Sequence, residues 1–142
     1  MSAHPAWKKR ETECARFWGT ERTPLSGRNS RHGTHADTLH RSAYIELKHG
    51  AACPRTWAGI RNLFLDVEAK AAAEAKFPVL VLHPKNYNAA VEHWPAYLRV
   101  RLSLADPVPS LVGELVCVPQ HLAKRLVEAA TALLAPSVSA SG

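Results

Sequence analysis

The sequence predicts an α/β fold in which a mixed central β-sheet is flanked by helices. Three observations carry that prediction. Two long stretches, 56–76 and 119–134, have the apolar spacing of amphipathic helices, and a third helical pattern begins at Trp7. Val79-Leu80-Val81-Leu82 is a short, wholly apolar run, as expected of a strand buried on both faces. Tyr97 to Leu102 alternates instead, as expected of a strand with one exposed face. Interleaved helices and strands pack as a sheet with helices laid against it.

The 142 residues suffice for a single domain, 1–142, with tails at 1–6 and 136–142 expected to be disordered. The chain is 46% apolar and 21% charged, ordinary for a soluble globular protein. It contains no run of 18 apolar residues, so no transmembrane helix is expected. Met1 to Arg10 is basic but no apolar stretch follows it, so no secretory signal is expected. Cys14, Cys53 and Cys117 are odd in number, far apart and without a CxxC pair. That fits a reduced cytoplasm and argues against a disulfide framework or structural zinc.

In chain order, Trp7 to Trp18 reads as a helix with Trp7, Cys14, Ala15 and Trp18 on one face. Glu11 shares that face, Glu13 lies roughly opposite, and Gly19 is the expected stop. A short strand is expected near Arg22–Leu25, followed to His35 by a polar, basic, glycine-bearing loop. Residues 36–48 read as a hairpin: Asp37, a polar turn from Thr38 to Ser42, then an apolar strand. Along that strand Tyr44, Glu46 and Lys48 share one face, and Ile45 and Leu47 the other. Thr56 is the expected N-cap of a helix running to Lys76, with an apolar stripe of Trp57, Ile60, Phe64, Val67 and Ala71. The alanines from Ala69 to Ala75 favour helix, and Pro78 is expected to end it.

His83 to Tyr87 closes the apolar strand as a loop, and 87–96 carries no clear pattern. Asp106-Pro107-Val108-Pro109 reads as a turn, and Leu111–Val118 as a further strand with Gly113 as its weak point. The last helix, from Pro119 to Leu134, is expected to turn Leu122, Leu126, Ala129, Ala130 and Leu133 inward.

The formal charge of +6 is unevenly placed. Residues 1–61 hold 11 Lys/Arg against 5 Asp/Glu, whereas 62–142 hold 7 of each. An excess confined to one half reads as a polyanion-binding surface. The same half holds the 36–48 hairpin, which would bring Asp37 back beside Glu46 and Lys48. Two carboxylates suit a divalent cation that prefers oxygen ligands, and the ammonium beside them suits charge stabilisation. His32, His35, His40 and His49, with Cys53 nearby, match no standard zinc spacing and read as surface or DNA-contacting side chains. The tryptophans at 7, 18, 57 and 94 read mostly as core or interface.

Asp37 followed by Glu46-Leu47-Lys48 resembles the D…ExK signature of the PD-(D/E)XK nuclease superfamily, and the helix carrying Glu11 fits the same pattern. More narrowly, Trp7-Lys8-Lys9-Arg10-Glu11, Arg22-Thr23-Pro24-Leu25-Ser26-Gly27, Asp37 and Ile45-Glu46-Leu47-Lys48-His49 look like archaeal and phage Holliday-junction resolvases. The resemblance covers residues 7 to about 102, and Ala36 stands where the superfamily's name has proline.

The resemblance implies a restriction-endonuclease-like fold and a homodimer that resolves four-way DNA junctions by paired phosphodiester hydrolysis. It implies that Asp37, Glu46 and the backbone carbonyl of Leu47 bind Mg²⁺, with Mn²⁺ as a substitute. Lys48 would orient or deprotonate the attacking water, or stabilise developing charge, the latter favoured for a lysine beside two acids. Glu11, with Glu13 as the alternative, would complete the metal or water shell. Ser26 would contact the scissile phosphate, and Lys8, Lys9, Arg22, Arg28 and Arg31 would clamp the DNA backbone. Two symmetric cuts imply two-fold symmetry, with the 79–82 and 97–102 strands and the segment after them as candidate interface. No membrane and no small-molecule cofactor are expected. The rival readings are another DNA nuclease of this superfamily (repair, restriction or nicking) and a non-catalytic DNA-binding protein of the same fold. A basic RNA-binding protein is less favoured, since the chain has no RNP-like aromatic strand or KH-type loop.

Overall fold

Apolar side chains at alternate positions shape the sheet in this computed structural model, which describes residues 6–23, 36–103 and 106–134. Strand β1 (Ala43–His49) and strand β2 (Phe77–His83) run parallel, with Ile45 opposite Val79 and Leu47 opposite Val81. Parallel neighbours need a crossover, which helix α2 (Trp57–Ala73) provides. Strand β3 (Pro95–Ser103) pairs antiparallel with β2, and β4 (Asp106–Pro119) antiparallel with β3. The order is β1-β2-β3-β4, so the sheet is mixed and β2 and β3 are interior. Helix α1 (Ala6–Phe17) precedes the sheet and α3 (Gln120–Leu134) follows it.

Alternation sorts the core into two halves. Ala43, Ile45, Leu47, Val79, Val81, Ala96 and Leu98 pack on one face, against Cys14 and Trp18 near α1 and Ala123 and Val127 of α3. Tyr44, Leu80, Leu82 and Tyr97 pack on the other, against Phe64, Val67 and Ala71 of α2. Each large side chain buried in this way contributes about 1.5–3 kcal/mol before chain entropy is counted. The expected α/β architecture is therefore present.

The helix ends are set by local hydrogen bonding. At the end of α1, the Thr20 N–H donates to Ala15 O (2.9 Å) and the Gly19 N–H to Arg16 O (3.0 Å). This closure needs a left-handed residue, and Gly19 sits at φ 74°. The Thr56 hydroxyl caps α2 by accepting from the Gly59 N–H at 3.0 Å. At its other end the same closure recurs, Lys76 N–H to Ala71 O (3.0 Å) and Ala75 N–H to Ala72 O (3.1 Å), with Ala75 at φ 55°. The helix thus stops at a left-handed alanine, not at Pro78, which lies within β2 opposite Tyr44.

Other expectations are corrected. The inward face of α3 is Gln120, Ala123, Val127 and Ala130; Leu122 and Ala129 are exposed and Leu126 is partly buried. The stripe is rotated because a fully buried glutamine, invisible to an apolar pattern, anchors its first turn. Gln120 Oε1 accepts from Trp18 Nε1–H (2.8 Å) and Cys14 Sγ–H (3.1 Å), and its Nε2–H donates to Val91 O (2.7 Å). Trp57 leaves the core stripe of α2 and is 50% exposed. Asp106–Pro109 belong to β4, because pairing with β3 extends to Ser103 opposite Asp106. Prolines are tolerated there because β4 is an outer strand whose N–H groups need no second partner. Leu111–Gly113 bulge out of register between Arg101↔Ser110 and Val100↔Glu114; Gly113 is at φ 130°, and a Cβ there would meet Arg101 Cβ at 2.9 Å.

The 79–82 strand is also a poor candidate for a subunit interface, whereas 97–102 keeps Arg101 exposed. Both lie inside the sheet, and Val79, Leu80 and Val81 are fully buried within one chain. Among the described residues, no helix is long and apolar enough to cross a membrane. All three cysteines carry free thiols.

Candidate active site

The free edge of β1 is where the predicted residues meet. The expected hairpin is corrected in form: residues 36–38 are a bend and a single bridge rather than a paired strand. The Asp37 N–H donates to Ile45 O (3.0 Å), while Asp37 Oδ2 accepts from the Leu47 N–H (2.8 Å). One residue therefore holds the edge of β1 through both its backbone and its side chain. The turn between them is fixed by His40, whose Nδ1 accepts from the Ser42 and Ala43 N–H groups, both at 3.0 Å.

Beyond residue 37 the chain is backed by 21–23. Thr23 N–H donates to Asp37 O and Leu39 N–H to Glu21 O, both at 2.9 Å, and Arg22 bridges Thr38. The short strand expected at Arg22–Leu25 is thus a single bridge at Arg22, and its second half lies outside the described residues. So do Ser26, Arg28, Arg31, His32 and His35.

A cleft of about 350 Å³ opens at this edge, lined by Trp7, Glu11, Asp37, Glu46, Leu47, Lys48, His49 and Ala52. It brings together every predicted catalytic and metal-binding residue that the structure describes. Glu46 and Lys48 project from one face of β1 as alternation requires, with Lys48 Nζ 3.2 Å from Glu46 Oε2. Glu11 enters from the inward face of α1, is 9% exposed, and accepts from Arg22 Nε–H at 2.8 Å. Glu13 turns away and pairs with Arg10 at 2.9 Å, so Glu11 is the helix acid in the cleft. Leu47 N–H and C=O point the same way along a strand, which leaves its carbonyl on the Asp37 edge.

The electrostatics are those of crowded acids. Asp37 is 7% exposed, and burial, then Glu46 and Glu11, hold its carboxyl well above the ordinary carboxylate range. The Leu47 N–H and Lys48 oppose that rise without cancelling it. Burial also pushes Glu11 up, against its hydrogen bond to Arg22. Hard oxygen donors with surplus negative charge are the donor set that Mg²⁺ or Mn²⁺ takes, with waters filling the remaining positions. Asp37 and Glu46, with the Leu47 carbonyl, are oxygen donors of that type lining one cleft. Among the described residues no three His, Cys, Asp or Glu side chains are placed together so as to hold a metal ion. Glu11 and Glu46 each lean instead on a cation, Arg22 and Lys48.

Several features were not foreseen. His49, at the cleft, meets the buried His83 with Nδ1···Nδ1 at 3.3 Å, one ring nitrogen donating to the other. His83 packs edge-on to Trp94, with ring centroids 4.6 Å apart, and burial lowers its proton affinity. The parallel register puts His49 opposite His83, a pairing that needed the β1–β2 match before it was visible. Trp7, read as core or interface, is a half-exposed cleft wall with Arg22 stacked 5.4 Å from its ring centroid.

Comparison of the chain with protein-family models, with curated proteins and with solved structures gives no match.

Proposed function

We propose that this chain is a divalent-metal-dependent endodeoxyribonuclease of the PD-(D/E)XK kind, acting as a homodimer on four-way DNA junctions. The observation that carries the nuclease reading is the convergence of Glu11, Asp37, Glu46, Leu47 and Lys48 on one cleft at the edge of β1. The junction and the dimer rest on the sequence resemblance.

Asp37, Glu46 and the Leu47 carbonyl would hold Mg²⁺, which when bound neutralises phosphate charge and acidifies a water. The chain's own groups do the rest. Asp37 is fixed to β1 by two hydrogen bonds, so its carboxylate has little freedom to swing away from Glu46. The Lys48 ammonium, 3.2 Å from Glu46, opposes the negative charge that builds on a phosphate under attack. Arg22 holds Glu11 at the inner wall and adds a second positive charge beside the cleft.

Cleavage of a synthetic four-way junction, compared with a linear duplex of the same sequence, tests the reading. Junction cutting that needs Mg²⁺ and is lost in Glu46→Gln supports it. Equal cutting of both substrates points to another nuclease of this kind, such as a repair, restriction or nicking enzyme. One observation favours a non-catalytic DNA-binding protein: Glu11 and Glu46 are already neutralised by Arg22 and Lys48. Junction binding without cutting in either Mg²⁺ or Mn²⁺ would decide for that reading.

A further inference from the structure

Helix α1 has a second charged surface, on the side away from the core. Its inward stripe of Glu11, Cys14 and Ala15 is buried, with Glu11 at the cleft. Lys9, Thr12 and Arg16 follow each other at i, i+3 and i+7 on the outward stripe, with Lys9 and Arg16 exposed. A groove of about 930 Å³ lies there, lined by Lys8, Lys9, Thr12, Glu13, Arg16, Phe17, Arg22 and Val91. Four of these residues are basic. The single acid, Glu13, is matched by Arg10 at 2.9 Å. Among the described residues Lys9 and Arg16 have no ion-pair partner.

Arg22 belongs to both surfaces, since it lines the groove and donates to Glu11 in the cleft. A helix with its side chains is about 10–12 Å across, so the groove and the cleft are about one helix width apart.

We infer that this groove carries a second stretch of DNA phosphate backbone, so that α1 lies between two phosphate chains. The inference deepens the proposed function and rests on its assignment of DNA as substrate. Charge complementarity selects the occupant. The groove offers four cations against a single acid that Arg10 already pairs, with Phe17 and Val91 as its apolar lining, and that charge excess suits a repeating anion. The separation matches the chemistry as well: the B-DNA major groove is about 12 Å wide, so backbones on either side of a helix stand about this far apart. Arg16, which no motif marks, becomes a backbone contact alongside Lys8 and Lys9.

The test is the salt dependence of binding, measured without divalent metal on a fluorescent four-way junction and on a duplex. Each phosphate contact contributes about one unit to the slope of log affinity against log salt. Lys9→Ala/Arg16→Ala should lower the slope by about two. The affinity lost between about 50 and 200 mM salt should shrink about tenfold relative to wild type. Both side chains are exposed, so circular dichroism should show an unchanged fold. The control is Arg61→Ala/Lys85→Ala, which removes the same charge from exposed positions outside the groove. An unchanged slope in the groove variant, or an equal fall in the control, would overturn the inference. A lower slope in the groove variant, together with a wild type that never cuts DNA, would leave the groove standing and remove the nuclease reading.

Discussion

Replacing Asp37 by Asn should make the metal-free protein more stable while abolishing cleavage. The carboxyl is 7% exposed and is held well above its ordinary range by burial, Glu46 and Glu11. A raised folded value means that the folded state binds the proton more tightly than the unfolded one. Stability is therefore greatest below the unfolded value, near pH 4, and falls as pH rises through the folded value. Each unit of upward displacement costs about 1.4 kcal/mol at neutral pH. Asparagine has no such cost, and its side-chain oxygen can still accept from the Leu47 N–H, now at 2.8 Å. The expected gain is roughly 1–3 kcal/mol at pH 7.5, shrinking toward pH 4. Urea unfolding in EDTA at both pH values measures it. Millimolar Mg²⁺ should then stabilise the wild type and leave Asp37→Asn unmoved. A variant less stable than wild type at pH 7.5 in EDTA would refute the crowding argument.

Three further outcomes follow from the fold. Ala75→Gly should stabilise by about 0.5–1 kcal/mol, since Ala75 sits at φ 55° and glycine takes that conformation without strain; thermal unfolding would detect it. Gln120→Ala should destabilise by about 2–4 kcal/mol, because it strands the Trp18 indole N–H and the Val91 carbonyl in the interior; a loss under 1 kcal/mol by urea titration would contradict this. His40 has its proton affinity lowered by burial and then by Lys76, and its Nδ1 accepts two backbone N–H bonds. Its contribution is present above about pH 6.5 and lost as pH falls toward the lower folded value. Comparing urea midpoints at pH 7.5 and 5.5 should show a smaller fall in His40→Ala than in wild type.

Periodicity made the sheet legible. Val79 to Leu82 has no polar face, so only an interior strand accommodates it, and β2 is that strand. The site was legible because alternation fixes Glu46 and Lys48 on one side of β1, and the polar turn returns Asp37 to its edge. What escaped had no periodic signature. Gln120 is polar yet fully buried, and its bonds join segments about a hundred residues apart in sequence. The end of α2 rests on a conformation that alanine rarely adopts, so proline was the more visible stop. Pro107 and Pro109 read as a turn because their tolerance on an outer strand depends on sheet order, which emerges only once all four strands are placed. The His49–His83 contact likewise waits on register.

The two bonds from Asp37 to β1 have a consequence for solubility. Strand edges with unpaired N–H and C=O groups recruit other chains. Here the Ile45 carbonyl and the Leu47 N–H, on the outward side of an apolar strand, are both occupied by a single aspartate. The acid proposed for chemistry is also the clasp that keeps a sticky margin shut. Variants at this position would differ in shelf life as well as in activity. An amide can keep the clasp, whereas alanine frees the Leu47 N–H and invites slow oligomer growth that light scattering would register.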